Sequence, residues 1–309
     1  MVTALCLNPS IDRETLVTGF EQGVTNRVLS VRTEGSGKGV NVAVAARRLG
    51  MKAACAGLLP SGGGPVLGRL AEEDVKACFV SAPGAIRVNT KVRDADRLIV
   101  TELNEPGAPA DAFILAKTRA RVLKLCARSD ILVLTGSLPP GCPADYYADL
   151  ISAAPPGCRC VLDASGDAFL AGLRARPFLV KPNLEELKKV FGGTVRGIEA
   201  AREAALWLIG EGAATAAVSM GADGALLTDG KRCVYAPALD VPVRSTVGAG
   251  DAMVAGMIAG ITCGETLDGV LRRGAAAAAA AVAEQRGGSP RRSEYERYLP
   301  EVKILDIKH

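Results

Sequence analysis

Ser245-Thr246-Val247-Gly248-Ala249-Gly250-Asp251 runs directly into an apolar stretch, Ala252 to Ile261, rich in Ala and Gly, that reads as a helix. The first turn of a helix carries unpaired N–H groups and the positive end of the dipole, and glycines let an anion approach that backbone closely. The stretch therefore reads as an anion cradle with one carboxylate, Asp251, on its lip. Phosphoryl transfer needs such a group to orient and deprotonate an attacking hydroxyl. A competing account is purely local, because an acidic residue in a first helical turn favours the dipole in any protein.

Composition narrows the setting. A chain of 309 residues is long enough for one large α/β domain or two smaller ones. Hydrophobic residues make up 49% and aromatics only 4%, so Ala, Val and Leu dominate, as in helices packed on parallel strands. Basic residues are scattered and the net charge is +4, which argues against nucleic-acid binding. The nine cysteines form no CxxC pair, which fits reduced core thiols in a cytoplasmic protein and neither a disulfide framework nor a zinc site. No signal peptide is legible, and Ala252 to Cys263 is too short to cross a bilayer. The single histidine is His309, the last residue, which excludes Ser-His-Asp chemistry and His-ligated metals as designs for this chain.

Strand-length apolar runs alternate with helical patterns. The runs are Val2 to Leu7, Ala53 to Leu58, Ile131 to Thr135, Cys160 to Asp163, Phe178 to Lys181 and Ala214 to Ser219. The helical segments are Val42 to Leu49, Ala110 to Ala127, Ala144 to Ala153, Leu184 to Val190 and Ile198 to Ile209. Repeated βα units predict a three-layer αβα, Rossmann-like core with a mostly parallel sheet. Ile11 to Arg32 and Ile86 to Leu103 break the rhythm with β-branched and alternating runs. They read as a small β lid (11–32 and 86–103) on a core formed by 1–10, 33–85 and 104–309, or else as edge strands of the main sheet.

The common nucleotide motifs fail. Gly37-Lys38 is followed by Gly39, and position 32 is Arg32, so there is no Walker A loop. Gly248-Ala249-Gly250 has Met253 where a dinucleotide fingerprint needs its third glycine. What remains is Gly35-Ser36-Gly37-Lys38-Gly39-Val40-Asn41-Val42-Ala43, a loop entering a helix. It reads either as a set of donors for hydroxyls and phosphates or as a tight turn with Asn41 as helix cap and Lys38 solvated.

The ordered pair of loops, near residues 40 and 250, resembles the two signatures of the ribokinase-like, phosphofructokinase-B carbohydrate kinases. The likeness spans nearly the whole chain through Asn8-Pro9-Ser10-Ile11-Asp12, Asn26-Arg27-Val28, Arg87, Thr135 to Gly141, Lys181 to Glu186 and Ser219 to Gly224. It is greatest with the branch containing 1-phosphofructokinase and tagatose-6-phosphate kinase. Two departures are Ser36, where a second glycine is usual, and Ser245, where many members have Asp.

The resemblance implies ATP-dependent phosphorylation of a ketohexose monophosphate, fructose 1-phosphate first, with tagatose 6-phosphate and fructose 6-phosphate behind. A ribokinase-like kinase of unphosphorylated sugars or nucleosides is the next alternative, and a non-catalytic sugar-phosphate sensor is the alternative from another class. The implied base is Asp251, with the Gly248, Ala249 and Gly250 amides holding the transferring phosphoryl. The implied substrate side is Asp12, Gly37, Lys38, Gly39 and Asn41, with Arg27, Arg87 and Ser137 for the phosphate already on the sugar. The implied nucleotide side is Lys181, Asn183, Ser219, Gly221 and Gly224, with Glu186 meeting Mg2+ of MgATP through water. Asn183 and Glu186 also have capping-box spacing, and Ser219 to Gly224 also reads as a plain hairpin turn. The Ala275 to Ala281 run reads as a buried helix that permits close approach. A homodimer through the lid is expected, since the lid's apolar face needs cover.

Overall fold

The computed structural model describes residues 1–97, 99–192, 195–284 and 289–307. His309 and, within the second lid segment, Leu98 lie outside the described residues. In chain order the elements begin with β1 (Val2–Cys6), β2 (Ser10–Val17), β3 (Ser30–Ser36), α1 (Lys38–Arg48), β4 (Ala53–Ser61), α2 (Gly64–Glu72), β5 (Lys76–Ala85), β6 (Arg87–Asp94) and β7 (Ile99–Asn104). They continue with α3 (Ala112–Cys126), β8 (Ile131–Thr135), α4 (Tyr146–Ala153), β9 (Arg159–Asp163), α5 (Gly166–Arg174), β10 (Leu179–Val180), α6 (Leu184–Phe191) and α7 (Gly197–Gly210). The last are β11 (Thr215–Ser219), β12 (Ala225–Thr228), β13 (Cys233–Ala236), α8 (Ala249–Thr262), α9 (Leu267–Ala283), α10 (Arg292–Tyr298) and β14 (Leu305–Ile307).

Among the described residues the main sheet has the order β14-β13-β12-β11-β10-β9-β8-β1-β4-β5. Strands β5 through β11 run parallel, and β12 to β14 add an antiparallel edge. The period of two in a strand sends alternate residues to opposite faces. Ile131 and Val133 of β8 accordingly join the core under α1, α8 and α9, while Leu132 and Leu134 join the core under α3, α4 and α7. Each such fully buried side chain contributes about 1.5–3 kcal/mol of transfer free energy. Two apolar faces covered by helices make the expected three layers.

The order reverses at β1: later strands add on one side through β4 and β5 and on the other through β8 to β11. A crevice opens at the carboxyl ends of strands where such a reversal occurs. The chain leaves β1 into the second sheet, whose order is β3-β2-β6-β7, with β2 and β6 parallel and both outer strands antiparallel. The two irregular segments thus form a separate sheet and not edges of the main one. It reaches further than 11–32, since β3 continues to Ser36 and hands the chain directly to α1.

Helices α8 and α9 pack backbone to backbone. A Cβ on Gly256 would stand 2.3 Å from the Arg273 carbonyl oxygen, and one on Gly274 would stand 2.7 Å from Met257 Cγ. Small side chains permit this approach and keep α8, hence Asp251 at its start, in one place.

Candidate active site

Three helix starts and the second sheet converge on one crevice of about 1020 Å³. Its walls include Asp12, Gly37, Lys38, Asn41 and Arg87 from one side and Lys181, Asn183, Ser219, Gly221 and Gly224 from another. The third side is Thr246 to Asp251 at the head of α8, with Ala275, Ala278 and Ala279 of α9 beyond it.

Gly248 caps α8 at φ 78°, a left-handed conformation that glycine adopts without a Cβ penalty. The Ala249 N–H is partly spent on the Thr246 carbonyl at 3.3 Å, leaving the turn held in shape from within. Asp251 follows in the first helical turn at 5% exposure and is surrounded by apolar side chains and charges. Burial pushes its carboxyl up to about 6, against the pull of the Lys38 ammonium, with nearby Asp163 raising it and Asn41 and Lys181 lowering it. Asn41 Nδ2 donates to Asp251 Oδ2 at 2.9 Å. A carboxylate titrating near the working pH is suited to take a proton and release it.

Helix α1 starts at Lys38, four residues earlier than the sequence pattern suggested, with Gly37 as N-cap at φ 135°. Asn41 is therefore not the cap, because its side chain is committed to Asp251 from inside the first turn. Gly39 faces away from the crevice: a Cβ there would stand 2.4 Å from the Leu5 carbonyl oxygen. Its contribution is to let α1 lie on β1, while Gly37 and Lys38 form the wall.

Lys38 is not simply solvated. Its Nζ lies 3.2 Å from Asp163 Oδ2 and 4.0 Å from Glu186 Oε1. Asp163, at 1% exposure, also meets Lys181 Nζ at 3.3 Å through Oδ1 and accepts from Thr135 Oγ1 at 3.0 Å. Burial opposes its ionisation, but the Lys181 and Lys38 cations and these hydrogen bonds hold it down near 2. Asp163 thus anchors two ammonium groups beside the crevice, and Lys181 Nζ stands 3.4 Å from where a Cβ on Gly250 would lie. The sequence reading had no role for Asp163. Its signal was a carboxylate ending an otherwise apolar strand.

Asp12 on β2 accepts from Ser10 Oγ at 2.9 Å and Asn89 Nδ2 at 3.3 Å and pairs with Lys91 at 3.0 Å. Although burial works against it, these partners keep its carboxyl below the ordinary value. Lys91 and Asn89 carried no signal in the sequence, because only the pairing of β2 with β6 brings them to Asp12. Arg87 donates to the Asn8 carbonyl at 2.9 Å and the Glu105 carbonyl at 3.1 Å, while its buried Nε has no hydrogen-bond partner among the described residues. It borders a side cavity of about 240 Å³ shared with Asn8, Lys38, Ser137 and Glu186. Asn8 Nδ2 donates to Ser137 Oγ there at 3.1 Å. Arg27, by contrast, is solvent-exposed and forms no part of these walls.

Asn183 and Glu186 make a full capping box at the start of α6, with bonds of 2.8 and 2.9 Å. The box holds Glu186 Oε2, and its other oxygen faces Lys38. Ser219, Gly221 and Gly224 lie in the hairpin between β11 and β12, so the plain turn and the crevice wall are the same feature.

The pfkB family carbohydrate kinase model matches residues 2–293. The chain belongs to this family. A pfkB kinase is a phosphotransferase, and the crevice just described is where this one brings its helix starts together. A Rhodobacter capsulatus protein named 1-phosphofructokinase is 42% identical over 267 residues, 85% of this chain and 84% of that protein. A Bacillus subtilis protein of the same name is 32% identical over 310 residues, 99% of this chain and its whole length. Among solved structures, Escherichia coli phosphofructokinase-2 in complex with potassium superposes with a TM-score of 0.90 at 31% identity, over 97% of this chain and 98% of that one. A tetrameric inhibited form of the same E. coli protein superposes at 0.89, over 97% of this chain and 98% of that one, with 31% identity.

Proposed function

We propose that the chain transfers the terminal phosphoryl group of ATP to the free primary hydroxyl of a ketohexose monophosphate, with fructose 1-phosphate as the preferred acceptor. The observation that carries this reading is Asp251: a buried carboxyl raised to about 6, beside the amide end of α8 and in the same crevice as Asp12 and Arg87. The sugar hydroxyls lie along Asp12 and Asn41, and the phosphate already on the sugar is held by Arg87, whose unpartnered buried Nε suits a dianion, together with Ser137. Asp251 takes the proton of the attacking hydroxyl, the oxygen bonds to the γ-phosphorus, the bond to the β-γ bridging oxygen breaks, and ADP leaves. The amides at the head of α8, with Lys38 and Lys181 nearby, stabilise charge on the moving group.

The nucleotide lies along Asn183, Ser219, Gly221 and Gly224, and the alanine face of α9 lets an adenine ring approach. Among the described residues no group of three or more His, Cys, Asp or Glu side chains could hold a metal ion. That suits Mg2+, which is carried mainly by phosphates and water and needs one or two carboxylates. Glu186, with one oxygen outside its capping bond, fits that role through water. Bound there, magnesium supplies charge neutralisation on the phosphate oxygens.

The second sheet is the lid, closing over the sugar and excluding water. Val31, Ile99, Val100 and Leu103 are exposed on its strands and Val24, Val28 and Leu29 on the segment joining β2 to β3, and burying them between two copies makes a homodimer. Among the described residues no helix is long and apolar enough to span a membrane, and all nine cysteines are free, which accords with work in the reducing cytoplasm.

The names of the Rhodobacter and Bacillus relatives support fructose 1-phosphate, and the E. coli neighbour, solved in complex with fructose-6-phosphate, keeps that sugar phosphate among the alternatives. An ATP-coupled assay on fructose 1-phosphate, tagatose 6-phosphate, fructose 6-phosphate and unphosphorylated fructose decides it. The expected order of kcat/KM follows that sequence, and fastest turnover of free fructose overturns the proposal.

A further inference from the structure

An amide has two unlike ends, and only its NH2 end suits a carboxylate. Asn41 therefore helps Asp251 only if its carbonyl is satisfied elsewhere. The group that does this is Arg69 on α2, whose Nη1 donates to Asn41 Oδ1 at 2.9 Å and to the Gly35 carbonyl at 2.9 Å. Arg69 has donors only, so the end of Asn41 facing it must be the oxygen. Its Nε pairs with Glu34 Oε1 at 3.0 Å, its Nη2 donates to Ser289 Oγ at 3.3 Å, and its side chain is only 10% exposed. Arg69 is absent from the walls of the main crevice and borders instead a neighbouring cavity of about 640 Å³ between the lid and residues 243–247.

We propose that Arg69 is a positioning residue of the phosphoryl-transfer site, holding the Asn41 amide with its NH2 toward Asp251 and so aiming the base at the acceptor hydroxyl. This rests on the reading of Asp251 as the base. Without the guanidinium the amide is no longer held at its carbonyl end, and each turn that brings this carbonyl toward Asp251 takes away the carboxylate's Asn41 donor. Two acceptors face to face repel unless the carboxyl carries a proton, so release of the lock favours protonated Asp251. The other groups facing Asp251 are Lys38 at the start of α1, Asp163 at the end of β9 and Lys181 after β10. Burial works against the charge of Arg69, and around it stand Glu34, Arg48, Glu73 and Asp12, of which the three carboxylates oppose its loss and Arg48 favours it.

The test is the pH profile of kcat and kcat/KM with fructose 1-phosphate for wild type, Arg69→Met, Arg69→Lys, Asn41→Leu and the Arg69→Met/Asn41→Leu double variant. In Arg69→Met the acid limb moves up by about one pH unit; kcat falls about threefold near pH 6.5 and about tenfold near pH 5, and recovers to nearly the wild-type value near pH 8.5, with KM changed less than about threefold. The substrate phosphate titrates identically in every variant, so a difference between profiles belongs to the enzyme. Because Arg69 acts through Asn41, adding Arg69→Met to Asn41→Leu moves nothing further. Arg69→Lys keeps a buried cation for Glu34 but lacks the planar fork that reaches Gly35 and Asn41 together, and shifts the limb in the same direction even if the Met variant does not fold. Glu34→Gln, which leaves the Asn41 contact intact, superimposes on wild type. Equal loss of kcat at every pH, additive effects in the double variant, or a wild-type profile for Arg69→Lys overturns the proposal. Asp251→Asn separates the two readings: high residual turnover in that variant sinks the base itself, whereas an inactive Asp251→Asn with an unmoved Arg69→Met profile sinks only the role of Arg69.

Discussion

Replacing Asp251 with Asn exchanges a buried carboxylate for a neutral amide of nearly the same shape, still able to accept from Asn41 Nδ2. The substitution that removes the proposed base is expected to strengthen the fold. Asp251 titrates near 6 in the native state against 3.8 for an ordinary carboxyl, so above pH 6 it is ionised in both states and the native state bears the full cost of burying the charge. A gap of about two units at about 1.4 kcal/mol each makes that cost about 3 kcal/mol. Asn carries no such cost. For a chain of 309 residues, a gain of this size raises Tm by roughly 4–5 °C. The sign with pH follows from the raised native value: the advantage of Asp251→Asn is complete above about pH 6, fades as the native carboxyl takes up its proton, and is gone below about pH 4. Parallel thermal and urea unfolding of wild type and variant from about pH 4 to 8 reads this directly. A variant no more stable than wild type near pH 7.5, or one whose gain is the same at every pH, refutes the claim that Asp251 is held as a costly buried charge.

Two further outcomes check other parts of the structure. Arg87→Ala removes charge-assisted donors to the sugar's phosphate and should raise KM for the sugar phosphate about 10–100-fold, with KM for ATP unchanged in initial-rate kinetics; an unchanged sugar-phosphate KM moves the phosphate subsite elsewhere. Gly256→Val puts a branched side chain where even a Cβ would meet the Arg273 carbonyl at 2.3 Å, so calorimetry should show a loss of about 3 kcal/mol, and an unchanged Tm contradicts the close packing of α8 on α9.

Legibility in the sequence followed the range of the physics. The strands Val2, Ala53, Ile131, Cys160 and Thr215 onward, and the helices after them, were readable because burial on both faces of a parallel sheet demands apolar runs. The separate second sheet was readable as a break in that rhythm. The antiparallel edge β12 to β14 and the strand β5 were not, since short or polar runs such as Lys76–Ala85 carry no distinctive period. Within the site, Asp251 and the glycines around it announced themselves through local chemistry, a loop and a helix start. Asp163, Lys91 and Arg69 did not, because each acts through a partner distant in sequence: Asp163 lies 125 residues from Lys38, Lys91 79 from Asp12, and Arg69 28 from Asn41.

By itself the sequence carried most of the parallel strands and several of the helices between them, the glycine loops at the starts of two of those helices, and the expectation of a carboxylate rather than a histidine as base. Those properties depend on neighbours within a few positions of one another, where hydrogen bonding, period and backbone freedom act. Only the tertiary structure decided that Asn41 serves Asp251 and not its own helix end, that Gly39 belongs to packing, that Arg27 stands apart from the crevice, and that Lys38 and Lys181 share Asp163. Charge and desolvation act through space, so the Asp251 carboxyl is pushed up to about 6 only once folding has buried it, beside Asp163 and against the pull of Lys38, Asn41 and Lys181.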